Sequence, residues 1–176
     1  LERADAVPPA ASDAGAPIVL AGWGESSDAH HMSAPHPEGR GARAAMAQAL
    51  QRAHLRARDI DYVNLHGTAT PANDLSEGAG VAAVFADHPR VPASSTKGMT
   101  GHTLGAAGAV EAVISALALR HGVLPASVGM QTPDPAIGLN IVSAPQRLPA
   151  LRNVLSNSFG FGGSNASLVL SRKESA

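Results

Sequence analysis

The feature of the sequence that most constrains the fold is an alternation between short apolar segments and longer helix-forming segments. The apolar segments, which predict strands, are residues 17–24, 60–67, 91–96, 138–143, 152–161 and 165–171. The helix-forming segments are residues 43–55, 75–85 and 104–121. This order predicts an α/β domain: a layered mixed sheet, mostly parallel with antiparallel C-terminal strands, packed by helices. We expect the first strand to be buried and the last two to form a hairpin through Gly162 and Gly163.

The composition excludes several functional classes. The chain has 176 residues, 44% of them hydrophobic and 15% charged, with a net charge of -1, which predicts one globular domain with a real core. No basic patch that would attract nucleic acid and no apolar run of about 18 residues that would cross a membrane is evident. We therefore expect a cytoplasmic protein with a linker at residues 1–17, a domain at 18–172 and a tail at 173–176.

The sequence contains no cysteine. Disulfides, thiolate zinc sites and a cysteine nucleophile are therefore excluded within this chain. The sequence also begins at Leu1 without an initiator methionine, and an Ala/Pro/Asp-rich stretch follows directly. Both features suggest a piece of a longer protein.

The first segment that could carry chemistry is "VNLHGTATPANDLSEG", residues 63–78. It places His66 directly after a predicted strand and follows it with Thr68 and Thr70. Functional residues of parallel sheets collect beyond the carboxyl ends of strands. Taken alone, the histidine fits either a hydrogen-bonded structural role or a catalytic one.

The second segment is "SSTKGMTGHTLGAAGAVEA", residues 94–112, in which Lys97, His102 and several glycines connect a strand to a helix. A phosphate-binding loop is rejected because Lys97 precedes the glycines, and the H-E-x-x-H spacing of a zinc site is absent. Glu111 is the one acid in an apolar helix. It is expected either to pair with Lys97 in a buried scaffold or to face solvent.

The third segment, "NSFGFGGSNAS" at residues 157–167, places Phe159 and Phe161 in a glycine-rich turn. Glycine accepts nearly any backbone angles, so such a turn could let an aromatic ring swing. A rigid hairpin is the simpler interpretation of the segment by itself.

Together, the motifs "HGTAT", "KGMTGHTLGAAG" and "GFGGSN" resemble, in order, those of the C-terminal half of the β-ketoacyl-[acyl carrier protein] synthases, a thiolase-like family. The resemblance covers residues 18–172. It implies that His66 and His102 are the two active-site histidines, Lys97 the active-site lysine and Glu111 its acidic partner. It also implies that Thr68 and Thr70 bind the phosphopantetheine arm and that Phe159 and Phe161 belong to the gate.

The resemblance further implies a decarboxylative condensation between a malonyl carrier protein and an acyl thioester, without a metal or organic cofactor. Expected partners are acyl carrier protein, the missing N-terminal half that bears the nucleophilic cysteine, and a second copy in a homodimer. Because this chain lacks the cysteine, it is not expected to be active alone. The alternative is a non-catalytic carrier-docking or dimerisation module, such as a chain-length-factor-like subunit.

Overall fold

The computed structural model describes residues 16–173; the rest of the predicted linker and tail, residues 1–15 and 174–176, lies outside the described residues. The strands are β1 (Ile18–Ser27), β2 (Tyr62–Asn64), β3 (Pro92–Ser94), β4 (Val123–Leu124), β5 (Asn140–Ile141), β6 (Gln146–Arg147), β7 (Asn153–Gly160) and β8 (Ser164–Arg172). The helices are α1 (Arg40–Ala53), α2 (Pro71–Val84), α3 (Lys97–Thr100) and α4 (Ala107–His121).

Six strands form one mixed sheet in the order β1-β8-β7-β2-β3-β5. The pairs β7–β2, β2–β3 and β3–β5 are parallel, whereas β8 is antiparallel to both of its neighbours. Strands β4 and β6 form a separate antiparallel pair. The predicted α/β fold, with its mostly parallel sheet and C-terminal hairpin, is confirmed.

Both faces of the central strands are buried, as expected for a sheet with helices on each side. Val63 of β2 belongs to the apolar cluster that contains α1 and α2 residues such as Met46 and Val81. Its neighbour Tyr62 belongs to a second cluster that contains Leu119 of α4. Helices α1 and α2 therefore cover one face of the sheet, and α4 covers the other.

Strand β1 is an edge strand, and the prediction that it is buried is wrong. Its glycines bring α1 close on one face, because a Cβ atom at Gly24 would collide with the backbone of Ala45. On the strand's exposed side, Trp23 is 47% accessible and Arg52 lies over its ring at 4.8 Å. Arg52 also donates to the carbonyl of Trp23 at 2.9 Å, which occupies one backbone acceptor of the strand.

Helix α4 presents an apolar surface that the described residues leave uncovered. Val113 and Leu117, one turn apart, are 59% and 45% exposed. With the preceding turn, Leu104–His121 is just long and apolar enough to cross a membrane by composition, although the sequence prediction found no such segment. Glu111 in the middle of this stretch is buried, so α4 packs on the domain by one face and leaves the other exposed.

Candidate active site

The three sequence motifs meet at one edge of the sheet. His66 follows β2, Lys97 follows β3 and Phe161 follows β7, and these three strands are parallel neighbours in the order β7-β2-β3. The carboxyl ends of parallel neighbours point the same way, so residues far apart in sequence are brought together. The predicted convergence at strand ends is confirmed.

Lys97 and Glu111 form a buried ion pair behind His66. The Lys97 Nζ donates to Glu111 Oε1, to the backbone carbonyl of His66 and to His66 Nδ1, the last at 3.3 Å. Lys97 is 8% exposed and Glu111 is 2% exposed. The solvent-facing alternative for Glu111 is therefore wrong, because its carboxylate neutralises an ammonium group that has been removed from water.

The hydrogen bonds assign the tautomers of both histidines. An ammonium group has three protons and no lone pair, so His66 Nδ1 must accept from Lys97. His102 Nδ1 accepts from the backbone N–H of Leu104 at 3.2 Å. In both neutral rings the proton is then on Nε2. The two rings lie edge to face with centroids 5.3 Å apart, and their free donors belong to one site.

Electrostatics keep His66 neutral. Burial is the main cause that lowers its pKa to about 3, and repulsion from the Lys97 ammonium group and from His102 in its protonated form lowers the pKa further. The pKa of Glu111 is raised by burial, while the hydrogen bond and charge of Lys97 oppose this rise. His66 is thus a neutral hydrogen-bond donor at neutral pH, because a charged imidazolium would be costly beside the lysine.

A cavity of about 880 Å³ lies at this edge of the sheet. Six of the predicted site residues line it: His66, Thr68, Thr70, His102, Phe159 and Phe161. Lys97 and Glu111 are not among its described lining residues, which places them as a support for His66. Within residues 16–173, no group of three or more His, Asp or Glu side chains is arranged to hold a metal ion.

The threonines form one polar strip along the cavity. Thr68 Oγ1 and Thr70 Oγ1 are 2.8 Å apart and hydrogen-bonded to each other. Phe159 contacts His66, with ring centroids 5.6 Å apart. Phe161 is 86% exposed at the turn between β7 and β8. The cavity therefore combines imidazole donors, hydroxyls and aromatic rings.

Sequence reasoning missed Glu77, a buried carboxylate on α2. Its two oxygens accept from the backbone N–H groups of His66 and Gly67 at 2.9 and 2.8 Å, and Oε1 also accepts from Asn157 Nδ2 at 3.1 Å. Burial raises the pKa of Glu77, and these hydrogen bonds oppose the rise. Glu77 thus holds the backbone of the HGT motif in place. Its only sequence signal is that it is the one charged residue of the predicted helix at residues 75–85, whose other residues are small or apolar.

Sequence reasoning also missed Asp28, which ties the glycine-rich turn to the loop after β1. Asp28 Oδ1 accepts from Gly41 N–H and Asn165 Nδ2, both at 3.1 Å. The backbone N–H of Asp28 donates to the carbonyl of Gly163 at 2.8 Å, and that of Gly162 donates to Met32 at 2.8 Å. The loop and the turn are therefore fastened together beside the cavity.

Two glycines of the turn have a positive φ, the backbone conformation that favours glycine. Gly162 and Gly163 have φ of 81° and 78°, which other residues rarely adopt. Gly160 has φ of −141°, and a Cβ atom there would meet nothing nearer than 3.9 Å. The part of the turn whose backbone depends on glycine therefore lies on the C-terminal side of Phe161.

The site can be compared with known proteins. The protein-family model described as the β-ketoacyl synthase C-terminal domain matches residues 18–131 of this chain. The 3-oxoacyl-[acyl-carrier-protein] synthase 2 of Coxiella burnetii is 46% identical over 154 residues, which are 87% of this chain and 37% of that protein. The chain thus spans little more than a third of that relative's length.

Solved structures agree with this comparison. A ketosynthase in complex with its chain length factor from Xenorhabdus doucetiae superposes with a TM-score of 0.81 at 49% identity, covering 89% of this chain and 39% of that one. A type II polyketide acyl carrier protein in complex with its ketosynthase bound to the hexaketide gives a TM-score of 0.83 at 29% identity, covering 88% and 38%. The chain therefore belongs to the β-ketoacyl synthase family, of which it carries the C-terminal domain.

Proposed function

We propose that this chain supplies the decarboxylation apparatus of a 3-oxoacyl-[acyl carrier protein] synthase. The observation that carries the proposal is the pair His66 and His102, whose Nδ1 atoms both accept hydrogen bonds and whose Nε2–H groups are left as donors. Two neutral donors at one end of a cavity suit an oxygen that gains negative charge during a reaction.

In the proposed step, the malonyl thioester loses carbon dioxide, and the electron pair of the broken C–C bond forms an enolate. The negative charge collects on the thioester oxygen, where His66 and His102 donate from Nε2. Lys97 acts as a positioning residue, since its contacts hold His66 neutral and oriented without lining the cavity. The enolate carbon then attacks the carbonyl carbon of an acyl thioester on a cysteine that another part of the synthase provides. The new C–C bond forms as the acyl C–S bond breaks, and the cysteine leaves as a thiolate.

Thr68 and Thr70 are proposed to bind the phosphopantetheine arm of acyl carrier protein. Their hydroxyls form a polar strip beside the histidines, which suits an arm rich in amide groups. The arm arrives with the substrate, so the proposal includes no separate cofactor. The family relative solved with an acyl carrier protein supports this choice of partner.

The N-terminal half of the synthase is the proposed partner of the apolar α4 surface. Val113 and Leu117 of α4 and the nearby Leu104 are exposed by 59%, 45% and 77%. Exposed apolar patches of this kind mark protein contacts. We propose that the nucleophilic cysteine reaches the histidines from this side, that the whole synthase is a homodimer, and that it acts in the cytoplasm.

The alternative is a non-catalytic subunit that only docks carrier protein or a catalytic partner. This alternative is considered because two of the similar solved structures are ketosynthases with chain length factors. We favour the catalytic assignment because His66, His102, Lys97 and Glu111 are all present and hydrogen-bonded in one arrangement. A non-catalytic subunit would need none of these contacts.

The first expected result concerns the isolated chain. The purified 176-residue chain, given acyl and malonyl carrier proteins, should form no 3-oxoacyl product, because it contains no cysteine to accept the acyl group. Adding an N-terminal half with the nucleophile should restore product, and an N-terminal half with Cys→Ala should not. Product from the isolated chain, measured by mass spectrometry, would contradict the proposed division of roles.

The second expected result concerns the turn at Phe161. In a full-length synthase with this sequence, Phe161→Ala should alter acyl loading and chain-length choice, because the exposed ring lines the cavity beside a turn with two positive-φ glycines. Gly162→Val should slow loading, since valine resists φ of 81°. Acyl-enzyme formation and carbon dioxide release are measured separately.

Met99→Ala is the control for this turn, because Met99 is 70% exposed and does not line the cavity. Leu20→Ala is a second control, since Leu20 is 43% exposed on β1 and does not line the cavity. If Phe161→Ala and Gly162→Val leave both steps as unaffected as the controls do, the turn is a structural hairpin and the gate is rejected.

A further inference from the structure

A second cavity, of about 520 Å³, lies behind the active-site cavity and has no part in the proposed chemistry. It is bounded by α2, by the residues after β3 and by the loop that follows β4. A volume of this size is within the range of small-molecule sites.

The segment between His66 and Pro71 is a thin wall between the two cavities. Residues 66, 68 and 70 line the active-site cavity, whereas residues 65, 67, 69 and 71 line the second cavity. The segment is not a strand, because Gly67 and Ala69 have φ of 41° and 60°, so its alternation rests on the backbone turns at these two residues. A ligand in the second cavity would therefore contact the backbone that carries His66, Thr68 and Thr70.

The wall is held by groups that also belong to the second cavity. Ser95 Oγ donates to the carbonyl of Gly67 at 2.7 Å, and Ser127 Oγ accepts from the Ser95 N–H at 3.1 Å. Glu77, which holds the His66 and Gly67 N–H groups, lines this cavity as well. Ala69 in the wall has φ of 60°, a strained conformation for alanine that neighbouring contacts must maintain.

The lining indicates the chemistry of the ligand. Aliphatic side chains dominate, and two of them, Leu75 and Val128, are 43% and 44% exposed. Among the described lining residues, the charged ones are Asp74, Glu77 and Asp134, with no lysine, arginine or aromatic ring. Aliphatic walls favour an alkyl chain, and the acids disfavour a negative charge.

We propose that the second cavity binds an uncharged alkyl chain and that its occupancy is transmitted to His66 through the wall. The binding part does not depend on condensation chemistry, so it can be tested on the 176-residue chain alone. Failure of the proposed synthase activity would leave this test unaffected.

The probes are decan-1-ol and decanoate, which share a chain length and differ in charge. We expect decan-1-ol to bind at least about tenfold more tightly than decanoate, because the described lining contains three acids and no lysine or arginine to pair with a carboxylate. Leu75→Trp, which fills the cavity, should weaken decan-1-ol binding by about tenfold or more. Leu117→Trp is the matched control, since Leu117 is 45% exposed on α4 and does not line either cavity.

Binding is followed by histidine-ring NMR of the folded variants, with circular dichroism as the check on folding. Decan-1-ol should shift the ring signals of His66 and leave those of His121, at the C-terminal end of α4, in place. Equal binding of the two probes overturns the proposed site. Binding that survives Leu75→Trp but is lost in Leu104→Trp also overturns it, because Leu104 lines the active-site cavity and the probe would then be bound there. Binding without a His66 shift overturns the coupling.

Discussion

His66→Ala and His102→Ala are each expected to slow decarboxylation of malonyl carrier protein by about 10²-fold or more in a full-length synthase that carries this sequence. Each substitution removes one of the two Nε2–H donors that the hydrogen-bond network leaves free at the cavity. Carbon dioxide release under single-turnover conditions measures the effect. Acyl transfer to the cysteine should be less affected, because that step does not build an enolate.

His121→Ala is the matched control, because His121 is an exposed histidine at the far end of α4. The pH dependence of carbon dioxide release adds a second criterion for the role of His66. Burial and the Lys97 charge lower the pKa of His66 to about 3, so its ring stays neutral from about pH 8 down to about pH 5, where a free histidine would gain a proton. Parent-like release of carbon dioxide in both variants would reject the assigned roles.

Glu111→Ala is expected to destabilise the 176-residue chain by about 3 to 5 kcal/mol, because it leaves the Lys97 ammonium group buried without a counter-charge. The free energy of unfolding in urea measures this loss. The double variant Lys97→Met, Glu111→Leu should lose much less stability, since it buries apolar side chains of similar size in place of two charges.

Val113→Ala provides the comparison on the same helix, because Val113 is 59% exposed and its loss should change stability by no more than about 0.5 kcal/mol. If Glu111→Ala lowered the free energy of unfolding by as little as Val113→Ala does, the stabilising role of the buried Lys97–Glu111 pair would be contradicted. A double variant that is less stable than either single one would show that the charges contribute more than packing can replace.

The sequence by itself determined the order of the elements and the place of the three motifs. Hydrophobic periodicity predicts the helices α1, α2 and α4, because a buried helical face repeats along the chain. His66, Lys97 and Phe161 were each expected at a strand end, and parallel neighbours place such ends at one edge of the sheet. Strands β4 and β6 escaped prediction because each has two residues and, unlike β5, lies outside the longer apolar segments that predict strands.

Only the tertiary structure decided which distant groups meet. Glu77 reaches Asn157 across 80 residues of sequence, and Asn165 reaches Asp28 across 137. No local pattern encodes such pairs, since they depend on strand order and on which side of the sheet each helix packs. The same holds for β1, whose apolar residues predict burial but whose place at the sheet edge exposes them.

The tertiary structure also decided the roles within the motifs. Lys97 and Glu111 lie behind His66, whereas His102 and the threonines line the cavity, although all are polar residues of the two segments 63–78 and 94–112. The alternate residues of the wall line two cavities because the segment lies between α2 and the residues after β3 and its backbone turns at Gly67 and Ala69, which have positive φ. Sequence determines which groups are available at the strand ends, and packing determines which of them face the open space where a substrate can bind.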